Sequence, residues 1–417
     1  MKTKQKLNIL KHLVNIKSVN GNEKQVVNYI KSLLDKAGIK NKILPLDKNR
    51  ANLVAEIGHR KPILAVSGHM DVVDVNPSNW KTNPFILTKK SDRLFGRGST
   101  DMKSGLAAII IAMLDLKQNH VPLKGTIRLL ATAGEEVGQK GAQSLQKQGY
   151  MSGVETLLIG EPTGYRIVYA SKGEIDLTLK SWGKTAHSSM PSLGNNAITH
   201  LMDILYQIKS DLNPLIKQVQ NKVLGPTFFN VDTISGGRQV NALPAFAQSQ
   251  INIRTIPELK NQKILQKIDQ NIYNYNHKTS GHITKNIDME TIPLDGNPDA
   301  KIINLIQKIA LPYLKKQLLV PGERTRLKKY SKVMGSGSDP SFKNIPKLGI
   351  SGATDGSKLL IDRPEGANYV VFGPGNDNSH EDNEYISQEM FLDFTEIYYK
   401  LFQAYFTGTV FRKKSFG

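Results

Sequence analysis

No cysteine occurs among the 417 residues. Disulfides are therefore excluded, and any metal must be held by histidine, aspartate and glutamate. A reducing compartment fits this absence, although cysteine-free chains are tolerated elsewhere. Long apolar runs are also missing: the longest, residues 106–114, falls far short of the ~20 residues that cross a bilayer. The opening residues, MKTKQKLNILKHLVNI, are basic and amphipathic. They have no continuous apolar core and no small-residue cleavage site, so no secretory leader is expected and a cytoplasmic location is the default. Acidic residues are in short supply, 36 against 56 Lys and Arg, for a net charge of +20. Such a balance raises nucleic acid or an anionic membrane as partners. The basic residues, however, are spread along the whole chain, and the densest cluster, 324–332, is short with Tyr330 as its one aromatic. A solvated basic surface that helps anionic substrates approach is expected instead, with no membrane and no nucleic acid as main partner.

What is present suits a packed globular protein: 39% hydrophobic residues and ordinary Gly and Pro. The length suits two or three domains. Residues 23–37 show helical periodicity, with Val26, Val27, Ile30, Leu33 and Leu34 on one face, Asn22 able to cap the start and Gly38 to end it. Short apolar runs at 63–66, 127–131, 156–159, 348–350 and 369–372 read as buried strands of a mixed or parallel α/β sheet. The middle differs. Residues 175–182 and 247–253 alternate like half-exposed strands, and 195–209 and 261–275 look helical. The pattern predicts a smaller α+β domain over 176–291, inserted into a domain made of 1–175 and 292–417, which resumes with the helix at 300–311.

Several polar residues directly follow the apolar runs. His69 and Asp71 follow ILAV, Glu135 and Glu136 follow IRLLATA, Glu161 follows TLLI, and His380 follows YVVFGPG. Asp101 lies in a glycine-rich loop just before a helix expected at 103–117. In open α/β sheets ligands gather beyond the carboxyl ends of the strands. Taken singly, Asp101 is a helix cap, Glu135 and Glu136 a solvated pair, and His69 a loop histidine. Taken together they point to a metal site. His69, Asp101, Glu136, Glu161 and His380 make five ligands, which suits two ions if Asp101 bridges them. Imidazole with carboxylate selects zinc, cobalt or manganese over calcium. Glu135 is then free to act as general base, and Asp71 to orient the imidazole of His69.

SGHMDVV, GRGSTDMKSGLAA, ATAGEEVG, GEPTG and SHEDNEY, with GKTAHSSMPSLGNNAI at 183–198 and ISGGRQVNALP at 234–244, resemble the metal-dependent amidohydrolases of the acetylornithine deacetylase / succinyl-diaminopimelate desuccinylase family. These are relatives of aminoacylase and glutamate carboxypeptidase. The resemblance runs in order along nearly the whole chain. It implies a dinuclear zinc catalytic domain and a lid or dimerisation domain, hence a homodimer. His69 and Glu161 would hold one ion, Glu136 and His380 the other, with Asp101 bridging and Glu135 as base and acid. It also implies that His187 stabilises the oxyanion, often from the partner subunit, and that Asn241 and Arg254 bind substrate carboxylate. Gly352 and Thr354 would belong to the loop lining the substrate pocket. An ordinary strand-end histidine and a surface ion-pair arginine are the competing readings of His187 and Arg254.

The chain departs from that family in places. Typical desuccinylases carry Arg-Arg-Gly where residues 171–173 read Ser-Lys-Gly, and Lys172 cannot clamp a carboxylate bidentately. The pocket loop reads GATDG. Glutamate at 161, where aminopeptidase-like relatives tend to use aspartate, favours N-acyl amino acids over peptides with free amino ends. The expected reaction is hydrolysis of N-succinyl-LL-2,6-diaminopimelate to succinate and LL-2,6-diaminopimelate, a step of lysine and cell-wall precursor synthesis. N-acetylornithine, another acyl amino acid or a dipeptide are alternatives within the class. A metal-binding or basic-surface interaction protein that has lost catalysis is the alternative outside it; the presence of every proposed ligand and of the base argues against it.

Overall fold

The computed structural model describes residues 1–319, 325 and 342–407. The basic cluster at 324–332 lies, but for Thr325, outside the described residues. Among the described residues no helix is long and apolar enough to cross a membrane. The chain forms two compact units: Met1–Tyr169 with Gly296–Leu348 and Thr354–Gly417, and Ala170–Asp295 with Gly349–Ala353.

The first unit is a mixed sheet flanked by helices. Its strands lie in the order Lys40–Pro45, Ala51–Gly58, Thr126–Thr132, Ile63–His69, Val154–Pro162, Asn368–Gly373, Ile167–Ser171. The four central strands, from Thr126–Thr132 to Asn368–Gly373, run parallel, and the flanking pairs are antiparallel. Every residue of Ile63–His69 after Ile63 is buried, as expected of a parallel strand covered on both faces. Because the central strands share one direction, their carboxyl ends share one edge, and the candidate ligands follow them there.

Helix Lys103–Gln118 is apolar all round and buried from Lys103 to Leu116. It packs on strands Ile63–His69 and Val154–Pro162, and helices Thr3–Asn15 and Gln388–Thr407 pack against it. The approach to the sheet is backbone to backbone. A Cβ on Gly105 would lie 1.9 Å from the carbonyl oxygen of Gly160, one residue before Glu161. Helix Lys24–Lys36 buries Val26, Val27, Ile30 and Leu34 and ends ahead of Gly38, whose φ is +64°. Its cap position is Glu23 rather than Asn22. The Asn22 amide reaches back to the Val19 carbonyl at 3.4 Å, so the expected capping bond is not made. A small antiparallel sheet of Thr88–Lys90, Arg93–Phe95 and Tyr385–Ser387 ties the segment after His380 to the segment before Asp101.

The second unit carries a four-stranded antiparallel sheet in the order Phe228–Gly236, Phe246–Thr255, Gly173–Trp182, His282–Thr291. Alternation decides its faces. Ile175, Leu177, Leu179, Ile251 and Ile253 are buried, and helices Ala197–Gln218 and Asn261–Lys278 pack on the sheet. The first of these helices starts on Asn196, whose side chain accepts from Ile198 N and Thr199 N.

Candidate metal centre

His69 is the last residue of its strand, and Glu161 the last but one of strand Val154–Pro162. Glu135 and Glu136 come three and four residues after strand Thr126–Thr132, and His380 in the loop after Asn368–Gly373. Asp101 stands one residue before the helix cap Met102, which makes no side-chain capping bond. Asp101 is therefore not the cap of that helix, and its carboxylate is free to face the strand ends.

Two groups of donors converge there. His69, Asp101 and Glu161 form one, Asp101, Glu136 and His380 the other, with ligand atoms in each group within 4.8 Å of one another. Asp101 belongs to both. Its Oδ1 lies 3.0 Å from Nε2 of His69, and its Oδ2 lies 3.5 Å from Nε2 of His380. Glu161 completes the first group at 3.5 Å from His69, and Glu136 the second at 2.9 Å from His380. The first group is the deeper one: the His69 side chain is 1% exposed and that of His380 51%. His380 sits in the left-handed region at φ +65°, a conformation costly for a histidine.

The electrostatics call for cations. Burial pushes the carboxyl of Glu161 well above its usual range against the pull of His69, and Asp101, Glu135 and Glu136 add to the rise. Burial does the same to Glu135, with His69 opposing and Asp355, Glu136 and Asp71 reinforcing. Burial opposes the charged form of His69, yet Glu161, Asp101 and Asp71 outweigh it and raise its pKa well above the ordinary value. Two imidazoles thus face a surplus of carboxylates. One nitrogen and two carboxylate oxygens per group, sharing one carboxylate, is a donor set that suits two divalent ions of the zinc, cobalt or manganese kind.

Asp71 acts differently from the sequence expectation. The bond that orients His69 runs from its Nδ1 to the main-chain carbonyl of Asp71 at 2.9 Å, while the Asp71 carboxylate stands 3.7 Å from that nitrogen. In the neutral ring this directs the Nε2 lone pair at the ligand cluster. The carboxylate instead accepts three successive backbone N–H groups, from Gly134 and Glu135 at Oδ1 and from Glu136 at Oδ2. A two-residue spacing from His69 places the carbonyl within reach of the ring and turns the side chain to the next strand end.

Glu135 has a support that the sequence did not reveal. Gln139 Nε2 donates to Glu135 Oε1 at 3.2 Å, and Ser357 Oγ donates to Gln139 Oε1 at 2.7 Å. Asp355, pushed up to about 6 chiefly by burial, accepts from Thr132 Oγ1 at 2.5 Å. Glu384 is fully buried and receives the backbone of the Asp101 loop. Glu384 stood within the quoted SHEDNEY motif, but a carboxylate before a short strand carries no local signal of what it binds. Thr354, expected to line a pocket, is buried with its hydroxyl 3.0 Å from that of Tyr369.

The remaining expected substrate residues lie in the second unit. His187 is exposed, and its Nδ1 accepts from the Ser189 backbone N–H at 3.2 Å, which leaves Nε2 as the donor of a neutral ring. Asn241 is exposed, and its carbonyl accepts from Ser188 N at 3.0 Å. Arg254 pairs with Glu174 and donates to Asn252 at 3.2 Å. Lys172 is buried, donates to the Pro226 carbonyl and lies 3.6 Å over the ring of Phe228. Its pKa is pulled down to about 8 by burial and by Arg254. Gly352 is exposed, and nothing lies within 4 Å of where its Cβ would be.

A sequence profile described as peptidase family M20/M25/M40 matches residues 65–404. A protein of Staphylococcus aureus strain MRSA252 named "Probable succinyl-diaminopimelate desuccinylase" is 38% identical over 420 residues, 95% of this chain and 96% of that one. Among solved structures, the M20 family metallo-carboxypeptidase Sso-CP2 of Sulfolobus solfataricus superposes with a TM-score of 0.73 at 20% identity, covering 97% of this chain and all of that one. A Bacillus subtilis protein described as a dinuclear metal binding peptidase from the M20 family gives 0.65 at 15% identity, covering 97% and 98%. At such identities the two structures share the fold with this chain.

Proposed function

The chain belongs to peptidase family M20/M25/M40, hydrolases of amide bonds, and from that premise we propose that it is a dinuclear metal-dependent deacylase of N-acyl amino acids. The observation that carries the reading is the Asp101 carboxylate, which offers one oxygen to each of two histidine-containing donor groups. His69 and Glu161 would hold one ion, Glu136 and His380 the other, with Asp101 shared. Zinc is the first choice, with cobalt or manganese as alternatives. Two such ions supply Lewis-acid polarisation of the scissile carbonyl and lower the pKa of the attacking water.

The protein's own residues do the rest. Glu135 takes the proton of the attacking water and passes it to the nitrogen of the leaving amino acid, so that the amide C–N bond breaks and a free amine and a carboxylate result. Gln139 holds the Glu135 carboxylate in one rotamer for both transfers. His187, with Nε2–H available, is suited to donate to the developing oxyanion. Asn241, Arg254 and the loop of Gly352 and Thr354 are the candidates for substrate recognition, with Lys172 as the point charge in place of an arginine.

The substrate is N-succinyl-LL-2,6-diaminopimelate, on the strength of the similarity to the Staphylococcus aureus protein of that name. N-acetylornithine and other N-acyl amino acids are the runners-up. The second unit serves as lid and dimerisation domain, and the enzyme works as a cytoplasmic homodimer. The test is amine release by zinc- or cobalt-loaded protein from a panel of these compounds and a dipeptide, each with a chelator control. Chelator-sensitive release from the succinyl compound alone is the expected result. Preference for another member would move the substrate assignment, and silence across the panel with two metals bound would overturn the deacylase reading.

A further inference from the structure

Glu384 follows the ligand His380 by four residues and lies outside both donor groups. It is fully buried, and a buried carboxylate is costly unless it is paired and hydrogen-bonded. Here the bonds are made, and all of them go to one loop. Glu384 Oε1 accepts from Thr100 N at 2.7 Å and Asp101 N at 3.0 Å; Oε2 accepts from Gly98 N at 3.0 Å and from Arg97 Nη1 at 2.7 Å. Its main-chain carbonyl accepts from Gly96 N at 3.0 Å. Thr100 returns a bond to the Tyr385 carbonyl at 2.6 Å.

Arg97 completes the link. It is 2% exposed, and while Nη1 pairs with Glu384 its Nη2 donates to the carbonyl of His380 at 3.3 Å. One carboxylate and one guanidinium therefore join the two loops that present Asp101 and His380. Asp71 does the corresponding work for Glu135 and Glu136 at the neighbouring strand end.

We propose that Glu384 is a positioning residue of the metal centre: with Arg97 it sets the spacing between Asp101 and His380, and so the affinity for the divalent ions. This rests on the dinuclear reading above. The carboxylate is needed because its two oxygens satisfy three N–H groups and a guanidinium at once. A glutamine has one acceptor oxygen, and its amide group would turn N–H donors against N–H donors.

The test is calorimetric titration of metal-free protein with Co2+ alone, wild type beside E384Q, with cobalt absorption spectra and urea unfolding of both. The wild type takes up two ions. E384Q unfolds cooperatively and binds at least one of the two ions roughly 10- to 100-fold more weakly, as loss of a partner that orients a ligand does, with an altered cobalt spectrum. A variant such as D393N, which removes the carboxylate that accepts from Tyr165, keeps both affinities. A purely structural role for Glu384 would lower the urea midpoint and leave both affinities and the spectrum at wild type, and that result overturns the proposal. If E384Q does not fold, R97K carries the test, because lysine keeps the charge but cannot bridge Glu384 and the His380 carbonyl in the same fork; unchanged affinities in R97K likewise overturn it. A wild type that takes up fewer than two ions overturns the dinuclear reading instead, whatever the variants do.

Discussion

Asp71 Oδ1 accepts the backbone N–H of Glu135 at 3.1 Å, which ties the proposed base to the strand end that carries His69. The same carboxylate takes the N–H groups of Gly134 and Glu136. In D71N one oxygen becomes a donor facing donors, and the turn that presents Glu135 and Glu136 shifts. A displacement of about 1 Å costs on the order of 10²-fold in rate. D71N should lose at least that much in kcat while circular dichroism stays native; steady-state kinetics with metal in excess is the check.

Glu135 belongs to neither donor group. E135A should keep two bound ions and lose turnover by at least ~10²–10⁴-fold, the range of general acid–base catalysis. Metal content by atomic absorption, set beside kcat, separates this from loss of the centre. Near-normal turnover would sink the assignment of the base.

The surplus of carboxylates around His69 and His380 means that removing metal leaves repulsion uncompensated. Chelator treatment should lower the melting temperature, and restoring Zn2+ should raise it in a concentration-dependent way. Free metal at 100 times its Kd stabilises by about 2.7 kcal/mol per site. A melting temperature indifferent to chelator and zinc would argue against metal at these residues.

Gly105 approaches Gly160 so closely that a methyl group cannot fit without moving either the helix or the strand that ends in Glu161. G105A should destabilise by roughly 1–3 kcal/mol or more through overpacking, read as a shift in urea midpoint. An unchanged midpoint would mean that the helix can lift off the sheet at no cost.

Lys172 gives a pH signature. Its folded pKa of about 8 lies below the ordinary lysine value of about 10.4, so between the two the unfolded chain binds more protons and stability rises with pH. The penalty is full below pH ~8 and is gone above ~10.4. Replacing Lys172 with methionine removes it. The wild type should therefore be less favoured relative to K172M at pH 7 than at pH 10, measured as the difference in urea unfolding free energy. A difference constant with pH would contradict the shift.

Much of the first unit was legible because burial on both faces writes itself as unbroken apolar runs. Ile63–His69, Thr126–Thr132 and Asn368–Gly373 announce themselves in this way. The polar residues just beyond each run were conspicuous for the same reason. The edge strands Lys40–Pro45 and Phe228–Gly236 were not: the first buries only Leu44 and the second buries none of its residues, so neither is written as a buried apolar run. Helix Gln388–Thr407 carries eleven buried residues, among them Phe391, Phe394, Tyr398 and Phe402, and becomes recognisable as a packing partner only once helix Lys103–Gln118 lies against it.

The order and chemistry of the strand-end residues are properties of the chain itself, because a strand's direction places whatever follows it at a known edge. Partners that come from distant segments are not. Ser357 on Gln139 and Glu384 on the Asp101 backbone join residues 218 and 283 positions apart. Only the tertiary structure could decide that the Asp71 carboxylate grips the backbone of Glu135 and Glu136 while its carbonyl orients His69. Hydrogen bonds are short-ranged and directional, and which donors meet which acceptors is settled by packing after the strands have found their order.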